Sequence, residues 1–295
     1  MSTTARKAWL KLLRTAGVKH FRATSGLGLP YICHLGDESG ETPFYNCQYS
    51  IPELAVMSAW CETIDTPVVF DIGANNGFIA TELAQLLHKK SPRIYAFEPV
   101  PSTFAQLKLS IDSLGLSDVI FPICRALSDS SGEANIFYNP RQSLFAQIRD
   151  DNLNPRVGGE TVLVQTTTVD ETIDSLQVTP NLLKVDVEGF EPRVFKGAAR
   201  LLNGNYPPAI CFEWNPFALA EVKSTTSQFT QSLPNYHLYY IDDFDGQRRP
   251  FGEEILNLAG ISWVCNVFGI PRKTKEMWTA RRARATAILA NSNAS

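Results

Sequence analysis

The sequence lacks the paired cysteines and closely spaced histidines that are typical of metal and redox sites. None of its six cysteines forms a C-x-x-C pair, and its four histidines form no short His-x-His spacing. We therefore predict no zinc site and no redox dithiol, and the cysteines and histidines indicate no metal ligand set. Several cysteines lie within apolar runs, where a thiol packs as a small hydrophobic side chain. We interpret the cysteines as reduced, which predicts a cytoplasmic protein.

An excess of one charge and long apolar runs are also absent. Lys and Arg total 27 against 30 Asp and Glu, a formal net charge of −3, so nucleic acid is not expected as a partner. No run approaches the roughly 18 apolar residues that cross a membrane. The apolar run near the basic N-terminus is interrupted at Lys11, which argues against a signal peptide. Peripheral membrane contact by this basic segment is an alternative to a helix that covers the domain.

The chain does contain a regular alternation of strand and helix patterns. Buried strands are predicted over Val68–Ile72, Arg93–Phe97 and Val119–Cys124, with helices over Phe78–Leu87 and Ser102–Leu114 between them. This order predicts an α/β fold with a doubly wound, mostly parallel sheet.

The rest of the chain extends this alternation into a predicted domain plan. Further strands are expected over 182–186, 209–214, 237–241 and 262–268, and helices over 190–202 and 216–231. We predict an N-terminal lead-in of helix and short strands over 1–64, in which Ser50 and Glu53 form a capping box. A catalytic domain is predicted over 65–270 with an antiparallel β insertion and mobile loop at 129–167. A basic helix is expected within 271–295.

Candidate ligand-binding residues follow the first two predicted strands. Ligands of open parallel sheets bind beyond the carboxyl ends of the strands. Gly73 and Gly77 allow a tight turn there, but Asn75 stands where a dinucleotide fingerprint needs glycine. Glu98 ends the next strand, where an acid accepts hydrogen bonds from ribose hydroxyls. These features favour a nucleoside without a diphosphate, and S-adenosylmethionine is the candidate. A nicotinamide dehydrogenase is the alternative on fold alone.

Five sequence blocks carry a family resemblance. VVFDIGANNGF (68–78), YAFEPVPSTF (95–104), RALSD (125–129), TTVDETI (167–173) and LLKVDVEGFEPRVFKGA (182–198) resemble the successive blocks of the FkbM family of S-adenosylmethionine-dependent methyltransferases. The resemblance implies a Rossmann-like class I methyltransferase fold, with a seven-stranded sheet whose last strand is antiparallel. It also implies methyl transfer, usually to a hydroxyl oxygen of a sugar, lipid or secondary metabolite.

The resemblance also implies roles for individual residues around the cofactor. The methionine half would be lined by the turn after the first strand, the ribose would be held by Glu98 with Pro99 and Ser102 beside it, and the adenine would lie beside Ala126 and Leu127. An alternative for the asparagines is that they only satisfy amides of the turn. The full predicted cofactor set is Asp71, Gly73, Asn75, Asn76, Gly77, Phe78, Glu98, Pro99, Ser102, Ala126, Leu127 and Asp186.

Three acids form the predicted catalytic set: Asp186, Glu188 and Glu213. A hydroxyl is a poor nucleophile at neutral pH, so its proton must be accepted or its oxygen aimed at the methyl group. Asp186 is the candidate for base, orienting group or, with a divalent ion, metal ligand. Two other hypotheses remain open, namely an N-methyltransferase acting on a peptide or amino sugar and a non-catalytic cofactor-binding scaffold. The acceptor is expected to be a small molecule, glycan or lipid.

Overall fold

A computed structural model describes residues 1–139, 141–148, 159–241, 255, 257–274 and 287. Most of the predicted mobile loop of the insertion and, apart from Ala287, the predicted basic helix over 277–289 lie outside these residues. Among the described helices, none has the length and apolar character needed to cross a membrane. All six cysteines are free thiols.

The N-terminal region combines three helices with a β-hairpin. Helix α1 (Thr3–Thr15) leads to strands β1 (His20–Thr24) and β2 (Pro30–His34), which pair antiparallel. Helices α2 (Glu38–Tyr45) and α3 (Ile51–Cys61) follow. Every residue of α3 is buried, so this helix is part of the domain core. Buried residues of this region belong to the same hydrophobic cluster as residues of the central sheet and its helices.

Helix α1 is amphipathic in the way that the sequence predicts, but its exposed face is partly apolar. Leu10 faces the protein and is 1% exposed, whereas the side chains of Trp9 and Leu12 are 43% and 58% exposed. Arg6 and Lys7 are occupied by cation–π contacts with Phe44 and Tyr45. Peripheral membrane contact by this segment stays a hypothesis.

The central sheet has seven strands with helices on both faces. Its elements run in chain order β3 (Val68–Ile72), α4 (Phe78–Leu86), β4 (Arg93–Phe97), α5 (Pro101–Leu114), β5 (Ile120–Ile123), β6 (Ala126–Leu127), β7 (Gly132–Asn139), β8 (Gln142–Ile148), β9 (Glu160–Thr167), α6 (Val169–Leu176), β10 (Leu182–Val185), α7 (Glu191–Lys196), α8 (Ala199–Leu202), β11 (Ala209–Trp214), α9 (Pro216–Glu221), α10 (Thr226–Ser232), β12 (Tyr236–Ile241) and β13 (Cys265–Pro271). Strands β6 to β9 form a separate small sheet, the predicted insertion.

The strand order identifies where a ligand binds. The central sheet reads β12-β13-β11-β10-β3-β4-β5, and β13 alone runs antiparallel to its two neighbours among these strands. From β3 the chain first builds outward through β4 and β5, and then returns to place β10 on the other side of β3. This reversal between β3 and β10 creates a crevice beyond their carboxyl ends. The doubly wound fold with an antiparallel last strand is confirmed.

Two apolar layers hold the sheet between its helices. On one face, Leu54 and Met57 of α3 pack in one cluster with Leu83 of α4 and Leu107 of α5. On the other face, Phe195 of α7 lies in a cluster with the core-facing residues of α8 and α10. A fully buried side chain of this size contributes about 1.5–3 kcal/mol, so both layers stabilise the strand ends that carry the polar residues.

Local predictions fail where tertiary contacts divert backbone hydrogen bonds. Ser50 precedes α3 in a left-handed conformation (φ +55°) and its side chain makes no capping bond, so the predicted capping box is wrong. The helix predicted over 190–202 is divided into α7 and α8. Asp170 explains the break, because its amide donates to the Gly197 carbonyl and its carboxylate accepts from the amides of Arg200 and Leu201.

Two further predictions in the C-terminal half differ from the structure. The helix predicted over 216–231 is divided into α9 and α10, because Lys223 adopts a φ of +57° and Thr225 begins α10 with a capping box to Gln228. The last strand, predicted over 262–268, lies at Cys265–Pro271. The apolar pattern of this region does not distinguish between these two sets of strand bounds.

Candidate functional site

A cleft of about 990 Å³ lies at the reversal between β3 and β10. Its walls come from the segments that follow β3, β4, β5 and β10, together with part of the N-terminal region. This volume includes the open, solvent-filled mouth of the cleft. A concave site at the switch point of an α/β sheet is the usual place for a ligand.

The turn between β3 and α4 needs glycine for close packing. Gly73 has a φ of +82°, and a Cβ there would lie 1.9 Å from the carbonyl oxygen of Asp186. Its amide and that of Ala74 both donate to the Phe97 carbonyl, at 3.0 and 2.9 Å. Gly77 has a φ of +87°, and a Cβ there would lie 2.6 Å from Leu107. The turn is thus held between β4 and the end of β10.

The Glu98 carboxylate is fixed at the end of β4 and faces the cleft. Its Oε2 accepts the Asn75 amide at 3.0 Å, and its Oε1 accepts the Val100 amide at 2.9 Å. Burial raises the pKa of Glu98 to about 7, although these two hydrogen bonds lower it. Each carboxylate oxygen accepts more than one hydrogen bond. Glu98 can therefore receive both hydroxyls of a ribose while it stays attached to the turn.

Most of the predicted cofactor residues line this cleft. They are Gly73, Asn75, Asn76, Phe78, Glu98, Pro99, Ala126, Leu127 and Asp186. Asp71 is buried behind the wall at 1% exposure, and Gly77 shapes the turn without lining the cleft. Ser102 is exposed and is not part of the lining, because its hydroxyl donates to Tyr138 Oη at 3.1 Å.

Lys184 joins two of the predicted acids through a buried ion pair. Its Nζ donates to Asp186 Oδ2 at 3.1 Å and lies 3.7 Å from Asp71 Oδ1. Burial lowers the pKa of Lys184, but the charges of Asp186 and Asp71 outweigh this and the net pKa is raised. The lysine is therefore a fixed cation, and the Asp186 carboxylate is oriented by it.

The three predicted catalytic acids come together at the ends of β10 and β11. Carboxylate oxygens of Asp186, Glu188 and Glu213 lie within 4.8 Å of one another. Burial, and then the charge of Asp186, raises the pKa of both Glu188 and Glu213. The cluster therefore holds protons at a higher pH than isolated carboxyls do. Asp186 and Glu188 line the cleft, whereas Glu213 lies behind them, where it accepts from Asn215 Nδ2 at 3.1 Å.

The acid cluster also has the composition of a divalent-cation site. Carboxylate oxygens are the ligands that Mg²⁺ and Ca²⁺ prefer. Glu191 is oriented differently, because its Oε1 accepts the amides of Val187 and Gly189 at 3.0 and 3.2 Å. It thus shapes the loop that carries Glu188. A divalent ion at Asp186 stays a hypothesis.

Part of the cleft wall comes from residues that the sequence analysis missed. Ser39, Tyr49, Ser50 and Glu53 all line it from the N-terminal region. The Tyr49 ring packs edge-on against Phe78 at 5.5 Å between centroids. Burial, and then the charge of Asp186, raises the pKa of Tyr49, so its hydroxyl remains protonated near the acids. The sequence marked Ser50 and Glu53 only as a helix start and gave no signal for Ser39 or Tyr49, because these positions reach the site only through the packing of α2 and α3 in the folded domain.

Comparison with protein families matches residues 71–241 to the methyltransferase FkbM domain. A curated relative, the hexuronic acid methyltransferase AglP of Haloferax volcanii, is 31% identical over 143 residues. That match covers 48% of this chain and 54% of the relative, so the chain spans about half the length of the relative.

Solved structures with a similar shape include two methyltransferases. The FkbM methyltransferase of Methylobacillus flagellatus KT is 15% identical and has a TM-score of 0.44, with 79% of this chain and 55% of that one covered. The O-methyltransferase of Bacillus cereus in complex with SAH is 8% identical and has a TM-score of 0.43, with coverages of 75% and 80%. Because both TM-scores lie below 0.5, neither similarity supports a function for this chain.

Proposed function

This chain belongs to the FkbM methyltransferase family, and we propose that it transfers a methyl group from S-adenosylmethionine to a hydroxyl oxygen of a sugar-containing acceptor. One observation carries the proposal. The Glu98 carboxylate is fixed by two backbone amides and faces a cleft of about 990 Å³ that is also lined by Asp186. A diol-binding acid and a candidate base therefore share one cavity.

The residues of the cleft fit S-adenosylmethionine. Glu98 would hold the ribose, the turn from Gly73 to Gly77 would lie along the methionine half, and Ala126 with Leu127 would lie beside the adenine. The absence of a side chain at Gly73 permits the close approach of the turn to the end of β10. When bound, the cofactor supplies an electrophilic methyl group on a sulfonium.

Asp186 would accept the proton of the acceptor. Lys184 donates to its Oδ2 at 3.1 Å, which orients the carboxylate and leaves the other oxygen available. Asp186 would take the proton of the acceptor hydroxyl, and the methyl group supplied by the bound cofactor would replace that proton on the oxygen. Holding both reactants in contact can itself lower the barrier by about 7–11 kcal/mol.

Support for a sugar acceptor comes from the curated relative, which is named for its action on hexuronic acid. The acid cluster is compatible with a polyol, because carboxylates accept hydrogen bonds from hydroxyls. The same cluster would also bind an ammonium group. That observation favours an amino sugar as the second candidate, with nitrogen as the methylated atom.

The proposal is tested first by calorimetry with S-adenosylhomocysteine. We expect binding to the wild-type protein, and no binding would contradict the proposal. Glucuronic acid, glucose and glucosamine glycosides are then incubated with S-adenosylmethionine, and mass spectrometry after mild alkaline treatment separates ether, ester and amine products. A methyl ether supports the proposal. Tight cofactor binding without turnover on any acceptor would favour the scaffold hypothesis.

The role of Asp186 is tested by substitution with asparagine. We expect Asp186→Asn to lower turnover at least roughly 100-fold, because general base catalysis contributes 10²- to 10⁴-fold. The matched control is Asp174→Asn at the surface, where the acid pairs with the exposed Arg200. Full turnover by Asp186→Asn would exclude Asp186 as the base.

A further inference from the structure

Ser39 of helix α2 is buried against the turn that follows β3. It is 4% exposed, and it lines the cleft although it lies 32 residues before the first residue matched by the family domain, Asp71. Its hydroxyl accepts from Asn76 Nδ2 at 3.1 Å and lies 3.1 Å from Asn75 Oδ1. One hydroxyl of the N-terminal region therefore contacts both asparagines of the predicted cofactor turn.

A buried acid orients the Ser39 hydroxyl. Asp37 precedes α2 as its N-terminal cap, is 3% exposed, and its Oδ2 lies 2.8 Å from Ser39 Oγ. A serine has one hydroxyl proton, so Asp37 and Asn75 share it as acceptors, while the lone pairs remain for Asn76. The chain of contacts from Asp37 through Ser39 to the asparagines is thus polar and enclosed.

The turn needs such support because its backbone is unusual. Asn75 has a φ of +50° between two glycines that also have positive φ values. A non-glycine residue in this region persists only where its surroundings hold it there. The Asn75 side chain is held by Ser39 Oγ and by the Asn76 amide, which donates to it at 2.7 Å. Ser39 is therefore part of what keeps Asn75 in place.

Asn75 also connects Ser39 to Glu98, the acid that is predicted to bind the ribose. The Asn75 amide donates to Glu98 Oε2 at 3.0 Å, so any shift of Asn75 moves a donor that orients this carboxylate. Groups that bind a ligand gain affinity when they are held in the bound geometry beforehand.

We propose that Ser39 is a positioning residue of the cofactor site, through which helix α2 holds the Asn75–Asn76 turn and, through that turn, the Glu98 carboxylate. This inference rests on the proposed function, since it assumes that S-adenosylmethionine occupies the cleft. It makes the N-terminal region a component of the cofactor site, outside the residues that match the family domain.

The test measures the affinity of the full chain for S-adenosylhomocysteine by calorimetry. We expect Ser39→Ala to weaken binding roughly three- to tenfold, the usual effect of losing one or two hydrogen bonds. The matched control is Ser58→Ala in α3, which removes another buried serine hydroxyl that has no hydrogen-bond partner among the described residues and does not line the cleft. We expect this control to bind as the wild type does.

A double-mutant cycle separates positioning from a general loss of stability. Ser39→Ala and Asn76→Ala break the same hydrogen bond, so the double variant is expected to lose less affinity than the two single losses combined. Ser39→Ala should lower the melting temperature without ligand by only a few degrees, because Asp37 and Asn76 each lose a partner. The increase of the melting temperature on adding S-adenosylhomocysteine should also shrink. If Ser39→Ala does not fold, Asn76→Ala tests the same contact from the other side.

The outcomes distinguish this inference from the proposed function. If the wild type does not bind S-adenosylhomocysteine, the proposed function fails and the inference fails with it. If the wild type binds and Ser39→Ala binds equally tightly, only the inference is overturned. Independent, additive effects of the two substitutions would likewise overturn it.

Discussion

At the scale of single residues, the environment of Glu98 determines how cofactor binding should depend on pH. Burial raises the pKa of this carboxyl to about 7, and the ionised form is the better acceptor for two ribose hydroxyls. Glu98 is therefore increasingly protonated as the pH falls below 7, and binding should weaken. Surface acids differ from Glu98 in this respect, because they are already ionised well below neutral pH.

We expect the affinity for S-adenosylhomocysteine to fall roughly fivefold to tenfold between pH 8 and pH 6, since only about a tenth of a group with a pKa of 7 is ionised at pH 6. Glu98→Gln should bind more weakly and show little of this pH dependence in calorimetry. Glu133→Gln is the control, because Glu133 is exposed and contacts Gln165. A wild-type affinity that does not change with pH would contradict the role of Glu98.

At the scale of elements, the link between β3 and α4 determines whether the cleft forms. The amides of Gly73 and Ala74 are bonded to the end of β4, and Gly73 lies directly against the backbone of Asp186 after β10. One turn therefore sets the spacing of three strand ends. A residue with a Cβ cannot replace Gly73 in this conformation unless a strand moves.

We expect Gly73→Ala to lower the free energy of unfolding by more than about 2 kcal/mol and to abolish binding of S-adenosylhomocysteine, because a Cβ would lie 1.9 Å from the Asp186 carbonyl oxygen. Urea denaturation measures the first effect. Gly115→Ala is the matched control, with a φ of +67° and nothing within 4 Å of the added Cβ. It should cost only about 1–2 kcal/mol. Equal losses in both variants would contradict the close-approach argument.

Elements were predictable from the sequence where burial and hydrogen bonding agree locally. Strands β3, β4 and β11 lie where their apolar runs predict them, because a strand covered on both faces is continuously apolar. The helix predicted over 190–202 was divided by Asp170, a residue of a different helix. No local pattern reports such a contact, since its partner is distant in the chain.

At the scale of the whole molecule, several carboxyls are buried without full compensation. Burial raises the pKa of Glu82 to about 8 and that of Glu191 to about 7, in addition to that of Glu98. Through these carboxyls the folded protein binds more protons than the unfolded chain between about pH 4.5 and pH 8. Burial lowers the pKa of His34 to about 4, so this one group opposes them below about pH 6.5 but is outnumbered. Stability follows the difference in bound protons, so it is highest at the acidic end of this window and falls as the pH rises.

We expect the melting temperature of the ligand-free protein to fall by several degrees between pH 5.5 and pH 8.5. Glu82→Gln should reduce this slope, because Glu82 is 0% exposed, one of its oxygens has no hydrogen-bond partner in the part of the chain that the structure describes, and a neutral amide keeps an acceptor for Ser25. Differential scanning calorimetry at a series of pH values is the measurement. A melting temperature that rises through this range would refute the argument.

The candidate site was partly readable from the sequence because parallel strands present their carboxyl ends at one edge. Residues just after β3, β4 and β10 therefore converge wherever the strands are parallel, and Gly73, Glu98 and Asp186 share the cleft for this reason. Ser102 shows the limit of the method. Its position in a family block suggested the ribose, but its hydroxyl is directed to Tyr138 of the small sheet.

The amino-acid sequence by itself determined the fold class, the family and the acids at the strand ends, because these depend on local apolar patterns and on short segments of contiguous residues. Only the tertiary structure decided which distant groups complete the cleft. Ser39 and Tyr49 enter it from the N-terminal region, and Lys184 joins Asp71 to Asp186, through contacts between segments remote in the chain. Such contacts arise from the packing of whole elements, and burial then changes the charge state of the groups that meet there.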